Sequence, residues 1–367
     1  MRPQLGDRSL FPQVRGVYLN HGAISPLSLP VRQAMHDCID DYGEKGLGAL
    51  GRWMAQREEL RVDLGTLLGV PSSRVVLTPS TSRGLMDLAL CLPWNEGDTV
   101  VTFEGEFPAN VIPWRQAASH FGLCWKQIPQ SIDALEDVLR EGVRLVACSA
   151  VQFSSGYRMP IEQMGALCHQ YGAELAVDGI QAVGAVPLDL TNVDYLAGGS
   201  HKWLMGPEGC GYLYVAEART LVPRVAGWLS VPSPVDFLLH GGGLLRYDKP
   251  IRDEPSMLEM GSINAVGFAG LGAAVKVALE LGVERIYKHV QTLLDPLEAG
   301  LVERGCTSLR HQSCILAVQT PGSELEVARV LNEGGVAVTA PNGVLRLAPH
   351  WSNSVDQIGE VLERMPF

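Results

Sequence analysis

Lysine is scarce in this chain: there are six among 367 residues, and Lys202 is the only one between Lys126 and Lys249. Positive charge is short overall, with 29 Lys and Arg against 40 Asp and Glu and a net charge of −11. That balance argues against a nucleic-acid or anionic-membrane partner, since phosphate groups would be repelled. It sets no limit on a small anion held in a locally basic pocket. The eight cysteines include no CxxC pair, and most lie in apolar stretches such as that around Cys148. A disulfide framework or a zinc site is therefore not expected, and reduced, buried thiols are. The most apolar long stretch, Ala265 to Val283, carries Lys276 and Glu280, which suits a buried helix and not a membrane span. The first residues lack the apolar run of a secretory signal, so the expected location is cytoplasmic. No G-x-G-x-x-G follows a first strand, which sets aside a dinucleotide-dependent oxidoreductase.

What is present is an alternation. From about residue 60 to 245, short β-branched runs alternate with stretches of helical periodicity. Strands are expected at Arg74–Thr78, Thr99–Phe103, Gly122–Gln127, Arg144–Ser149, Glu174–Val177, Tyr195–Ala197 and Gly211–Val215. Helices between them imply an α/β fold with a mainly parallel seven-stranded sheet covered on both faces. The two chain ends, 1–59 and 246–367, read as a smaller α/β domain: a short strand at Val17–Leu19 and a helix from about Pro30, then helices at Ala265–Leu281, Tyr287–Arg304 and Ser323–Asn332, a strand near Cys314–Gln319 and two more ending at Leu347. In parallel sheets, ligands gather at the carboxyl ends of strands. Several polar groups fall at such ends: Thr78-Pro-Ser-Thr, Glu104-Gly-Glu-Phe, Ser149-Ala-Val-Gln and Asp178.

Asp178 and Lys202 are 24 residues apart, the acid ending an apolar strand and the lysine set in Gly199-Ser-His-Lys-Trp. A pyridoxal phosphate (PLP) site needs this pair: a lysine to form a Schiff base with the aldehyde, and an acid to keep the pyridine nitrogen protonated. The plain alternative, a solvated surface lysine, fits poorly with its Ser, His, Trp, Leu and Met neighbours. Thr81 and Ser82 open a helix, where hydroxyls and free N–H groups suit the cofactor phosphate as well as an ordinary N-cap. Ser200 and His201, just before the lysine, add to that phosphate reading. Phe107 follows a strand end and could stack on the pyridine ring, although such an aromatic also suits a core. Gln152 and Gln181 offer amides for the ring hydroxyl. Arg346 interrupts an apolar strand, where a cation needs a carboxylate, either internal or the substrate's.

These residues resemble the class V aminotransferase family of PLP fold type I, which includes cysteine desulfurases and isopenicillin N epimerase-like proteins. The similarity runs from Tyr18-Leu-Asn-His-Gly to Leu345-Arg-Leu-Ala-Pro-His. Its most specific parts are Glu104-Gly-Glu-Phe-Pro-Ala-Asn, Val177-Asp-Gly-Ile-Gln and Ser200-His-Lys-Trp. The resemblance implies Lys202 as the Schiff-base lysine, Asp178 at the ring nitrogen and Gln181 at the ring hydroxyl. Phe107 takes the place of the ring-stacking aromatic, and Thr81, Ser82, Ser200 and His201 take phosphate positions. Ser262 matches a segment that reaches the phosphate of a partner subunit, which implies a homodimer. Arg346 matches the substrate-carboxylate arginine, and Asn20 and His21 match the loop lining the site. Two departures stand out. The stretch Val338-Thr-Ala-Pro-Asn-Gly has no cysteine where desulfurases carry a nucleophile, and Gln152 stands near the place of the family's Asn. The expected substrate is a small amino-acid-like molecule and the first expectation is an aminotransferase-type enzyme. The alternatives are a PLP-dependent C–S lyase or epimerase and, outside catalysis, a PLP-binding homologue without turnover.

Overall fold

The computed structural model describes residues 2–367. The chain begins with β1 (Val17–Tyr18), α1 (Leu29–Lys45) and α2 (Leu50–Leu68). Then come β2 (Val75–Thr78), α3 (Thr81–Cys91), β3 (Thr99–Phe103), α4 (Ile112–Phe121), β4 (Cys124–Ile128) and α5 (Ile132–Arg140). The series continues with β5 (Leu145–Ser149), α6 (Ile161–Gln170), β6 (Glu174–Asp178), β7 (Tyr195–Gly199) and β8 (Gly211–Val215).

Seven of these strands form one sheet in the order β2-β8-β7-β6-β5-β3-β4. β8 is antiparallel to both neighbours and every other pair is parallel, so the expected mainly parallel sheet is what forms. Side chains alternate across it. Val101, Val146, Leu175 and Val177 enter one apolar cluster while Val100, Leu145, Ala147 and Ala176 enter another on the opposite face. Both faces are thus buried, which is why these strands read as continuous apolar runs.

Because β8 opposes both β2 and β7, those two run in the same sense as β5 and β6. Register then aligns their ends. Thr78 pairs with Gly211, which pairs with Gly199; Ser149 pairs with Asp178, which pairs with Ala197. Close packing at this edge demands glycine: a Cβ on Gly198 would lie 2.3 Å from the Tyr212 hydroxyl.

The remainder comprises α7 (Asp236–Leu239), α8 (Ala265–Leu281), α9 (Val283–Glu303), β9 (Thr307–Ser308), β10 (Leu316–Gln319), α10 (Glu324–Glu333), β11 (Val336–Ala337), β12 (Leu345–Leu347) and α11 (Val355–Glu363). β10 lies between β12 and β9 in an antiparallel sheet, while β11 pairs with β1. The N-terminal segment is therefore stitched to the C-terminal part by backbone hydrogen bonds. Among the described residues, no single helix is long and apolar enough to cross a membrane.

Most expected elements form with their ends moved. The strand read from Gly122 starts at Cys124 because Gly122 is the left-handed cap of α4 (φ 67°). The strand near Cys314 starts at Leu316, after a turn in which the Ser313 hydroxyl accepts from the Ile315 N–H. α2 and α11 were not anticipated. α2 runs unbroken across position 60, so the unit boundary read there falls inside a helix and not in a linker.

Candidate active site

Lys202 follows β7 on a tight turn. Its carbonyl accepts from the Met205 N–H at 3.0 Å, and Met205 holds a left-handed φ of 56°, sparsely populated for a side-chain-bearing residue. The N-terminal loop closes over this turn: the Ser25 hydroxyl donates to the Lys202 carbonyl at 2.6 Å, and the Ser25 N–H to the His201 carbonyl at 2.7 Å. The Lys202 Nζ sits 5.5 Å from the centre of the Phe107 ring. Phe107 packs edge-on against Phe153 at 5.3 Å, yet 42% of it stays exposed, leaving a face for a flat group.

Asp178 is buried, and Oδ1 accepts from the Ile180 N–H at 2.9 Å. Burial pushes its carboxyl up to about 7, against the pull of Lys202. Burial likewise pulls the Lys202 amine down to about 8; Asp178 opposes this and the Arg346 charge adds to it. Acid and amine thus sit near neutrality together, a poise suited to proton transfer.

The α3 N-terminus forms a second pole. The Ser80 hydroxyl takes the Arg83 N–H at 3.1 Å, so the N–H groups of Thr81 and Ser82 lack intrahelical partners. The Thr81 Oγ1 is buried with no hydrogen-bond partner, while Ser82 is exposed. His201 is half-buried, and its pKa is lowered by burial and by Lys202. Ser200 is different: it is fully buried and donates to the Pro207 carbonyl, binding the lysine turn to itself.

Both glutamines are anchored. Gln181 donates to the Gly22 carbonyl at 2.9 Å and accepts from the Trp203 indole at 2.9 Å, joining the N-terminal loop to the lysine turn. Gln152 donates to Glu106 Oε1 at 2.7 Å and leaves its own Oε1 buried and unpaired. Glu106, not singled out from sequence, is buried and also accepts from the Ser149 N–H (2.7 Å), the Ser149 hydroxyl (2.5 Å) and Asn110 (3.3 Å). Its segment, Glu104-Gly-Glu-Phe, stood out in the sequence as polar at a strand end, but nothing local gave Glu106 itself a role.

Arg346 is buried at 5% exposure, and no carboxylate among the described residues pairs with it. This removes the internal ion pair that the sequence left open. Nη1 donates to the Phe153 carbonyl at 2.7 Å and Nη2 to the Thr339 hydroxyl at 3.1 Å, while Nε is buried without a partner. Burial pulls its pKa down to about 10. Asn20 joins through Thr339, and His21 is buried, bonded to Ser25 Oγ at 2.7 Å and held neutral by burial and by His350. Ser262 is not brought in. It lies exposed on the rim of a separate cleft of about 800 Å³ lined by Met54, Trp228 and Leu238.

The residues fit PLP on grounds of the structure alone. A buried acid, an amine beside an open aromatic face, an unpaired hydroxyl at a helix N-terminus and an unpaired buried amide oxygen each await a partner of the right chemistry. Comparison with known proteins agrees. The family described as Aminotransferase class-V matches residues 17–349. A probable cysteine desulfurase of Methanothermobacter thermautotrophicus is 28% identical over 77% of this chain and 72% of its own length. Another from Pyrococcus abyssi is 26% identical over 93% and 91%. Among solved structures, the cystine C–S lyase C-DES in complex with cysteine persulfide superposes with a TM-score of 0.87, at 22% identity over 97% of this chain and 98% of that one.

Proposed function

The chain belongs to the class-V aminotransferase family and its cofactor is PLP, and on that premise we propose that it cleaves a carbon–sulfur bond in a free amino acid by β-elimination. When bound, PLP supplies an electron sink that lets the Cα–H bond of an amino acid ionise. Lys202 would hold the cofactor covalently and, once displaced by the substrate amine, move the Cα proton. With an amine pKa of about 8, roughly a tenth of it is unprotonated at pH 7, far more than for an ordinary lysine. Asp178 would hold a proton on the ring nitrogen. Thr81, Ser82 and His201 would bind the phosphate, and Phe107 would fix the ring plane. The Ser262 segment would reach the phosphate of a second copy of the chain.

The observation that carries the amino-acid reading is Arg346, a buried guanidinium whose Nε has no partner, and which pairs with no carboxylate, among the described residues. A substrate carboxylate would satisfy both charge and geometry. The lyase outcome, in preference to transamination, is supported by relatives described as probable cysteine desulfurases. A protein-bound persulfide is disfavoured. Residues 338–343 contain no cysteine, and Cys314 is buried, directed at the Ala185 carbonyl, with its thiol pushed well up by burial.

Incubation of the PLP-loaded protein with L-cysteine and L-cystine tests this. β-Elimination gives pyruvate, ammonia and released sulfide or persulfide in equal amounts. Accumulation of alanine would mean transfer of sulfur to a thiol, and a keto acid formed only with an added keto-acid acceptor would mean transamination. Either result would overturn the lyase reading.

A further inference from the structure

His350, four residues beyond Arg346, is fully buried and packs on Trp203, next to Lys202, with ring centres 5.3 Å apart. Both of its ring nitrogens meet backbone groups, whose roles in a hydrogen bond have no alternative. The Trp351 N–H lies 2.7 Å from Nδ1, and a backbone N–H only donates. The Trp203 carbonyl lies 2.7 Å from Nε2, and a carbonyl only accepts. The ring is therefore neutral, with its one N–H hydrogen on Nε2 and aimed at the Trp203 carbonyl. Burial favours the same neutral form, pulling the pKa down to about 4. With both nitrogens committed to backbone groups, this histidine is neither acid nor base toward a substrate.

The bond to Trp203 completes a set of three on successive carbonyls. The His201 carbonyl accepts from the Ser25 N–H, the Lys202 carbonyl from the Ser25 hydroxyl, and the Trp203 carbonyl from His350. The N-terminal loop thus holds the first two, and the C-terminal segment the third. The turn they hold contains Met205 at a φ of 56°, a conformation that persists only where the surroundings over-determine it. His350 is itself well anchored. Its N–H donates to Asn353 Oδ1 at 2.8 Å, its carbonyl accepts from the Asn353 N–H at 3.0 Å, and Asn353 Nδ2 donates to the Tyr18 carbonyl at 3.1 Å. Because His350 lies just beyond β12, which carries Arg346, one side chain joins the arginine strand to the lysine turn.

We propose that His350 is a positioning residue for Lys202, fastening the lysine turn to the strand of Arg346 through the Trp203 carbonyl. It acts on the amine only by way of the backbone that carries it. The strained turn then keeps its shape, and Lys202 keeps a fixed place relative to Asp178 and Arg346. This rests on the reading of Lys202 as the residue that holds PLP, and adds to it the group that sets where that lysine stands.

Two substitutions separate the two hydrogen bonds. In His350→Asn an amide oxygen near the place of Nδ1 keeps the bond from the Trp351 N–H and frees the Trp203 carbonyl. In His350→Gln an amide nitrogen near the place of Nε2 keeps the bond to Trp203 and frees the Trp351 N–H. Each leaves one buried backbone group unpaired, so urea unfolding of the two cofactor-free variants should show similar losses. Capture of added PLP, followed by absorbance and by borohydride trapping, should nevertheless differ. His350→Asn should slow capture roughly tenfold, the scale of one lost hydrogen bond, and move its rise to higher pH, because a loosened turn lets water reach the amine. His350→Gln should stay within about threefold of the wild type, with the rise still near pH 8. Lys202→Ala, run in parallel, should trap nothing; trapping there would remove the premise. Wild-type capture by His350→Asn, with trapping lost in Lys202→Ala, would overturn the positioning role alone. Equal loss in both His350 variants, or a larger loss in His350→Gln, would show a general structural effect and overturn it as well.

Discussion

Replacing Asp178 by Asn should make the cofactor-free protein more stable while weakening its hold on PLP. The carboxyl is buried, has one hydrogen bond from the Ile180 N–H, and is pushed by burial to about 7 from an ordinary 3.8. A folded-state pKa above the unfolded one means that the native state binds more protons, so stability falls as pH rises between those two values. Above about 7 the whole penalty is present. The interval from 3.8 to about 7 corresponds to roughly 4 kcal/mol at about 1.4 kcal/mol per pH unit. Asn mimics the neutral acid, so urea unfolding of the apo proteins near pH 8 should favour Asp178→Asn by up to about 4 kcal/mol. Near pH 4 the advantage should shrink below about 1 kcal/mol. With PLP bound the order should reverse in one respect: the wild type should gain more stability from the cofactor than the variant, because only a carboxylate pairs with a protonated ring nitrogen. An apo variant no more stable than wild type near pH 8, or an advantage that does not change with pH, would refute the reasoning that this acid is a destabilising group retained for the cofactor.

Lys202→Ala should abolish borohydride trapping of PLP on the protein; retention of the trapped bond would place the covalent link elsewhere. In the wild type, the rate of PLP capture should rise with pH through about 8, where the buried amine loses its proton. Arg346→Ala should move that rise to higher pH by removing a repelling charge, as stopped-flow absorbance would measure. Glu106→Gln should destabilise the fold by about 1–3 kcal/mol, since an amide cannot accept from all the donors the carboxylate serves, and should alter the absorbance of bound PLP by releasing the Gln152 amide. Unchanged unfolding and an unchanged spectrum would show that Glu106 neither supports the edge of the sheet nor fixes Gln152.

The sheet was readable because its strands are apolar on both faces and separated by helices, a pattern set by burial and period. Strand ends moved where single residues decide them, as at Gly122, whose left-handed backbone closes α4 instead of opening β4. α2 escaped notice because only Trp53, Leu60, Leu64, Gly65 and Leu68 of its residues are buried, and its charged surface masks that thin stripe. Lys202, Asp178 and Thr81 could be named from sequence because each occupies a strand end or helix start whose local chemistry is distinctive. Glu106 and Thr339 could not. Their roles depend on Ser149, Gln152, Asn20 and Arg346, which lie at distances in sequence that no local pattern spans.

The same division separates what each level of description settled. Sequence alone determined that the chain offers an isolated lysine, a strand-terminal acid and an arginine in an apolar run, because residue types carry their own acid–base chemistry wherever they fold. Whether the arginine meets an internal acid was decided only by tertiary structure. The folded chain surrounds Arg346 with a carbonyl, a hydroxyl and a glycine, and no carboxylate among the described residues pairs with it. Ion pairing is a matter of a few ångströms, and those distances are fixed by packing between segments that sequence order leaves far apart.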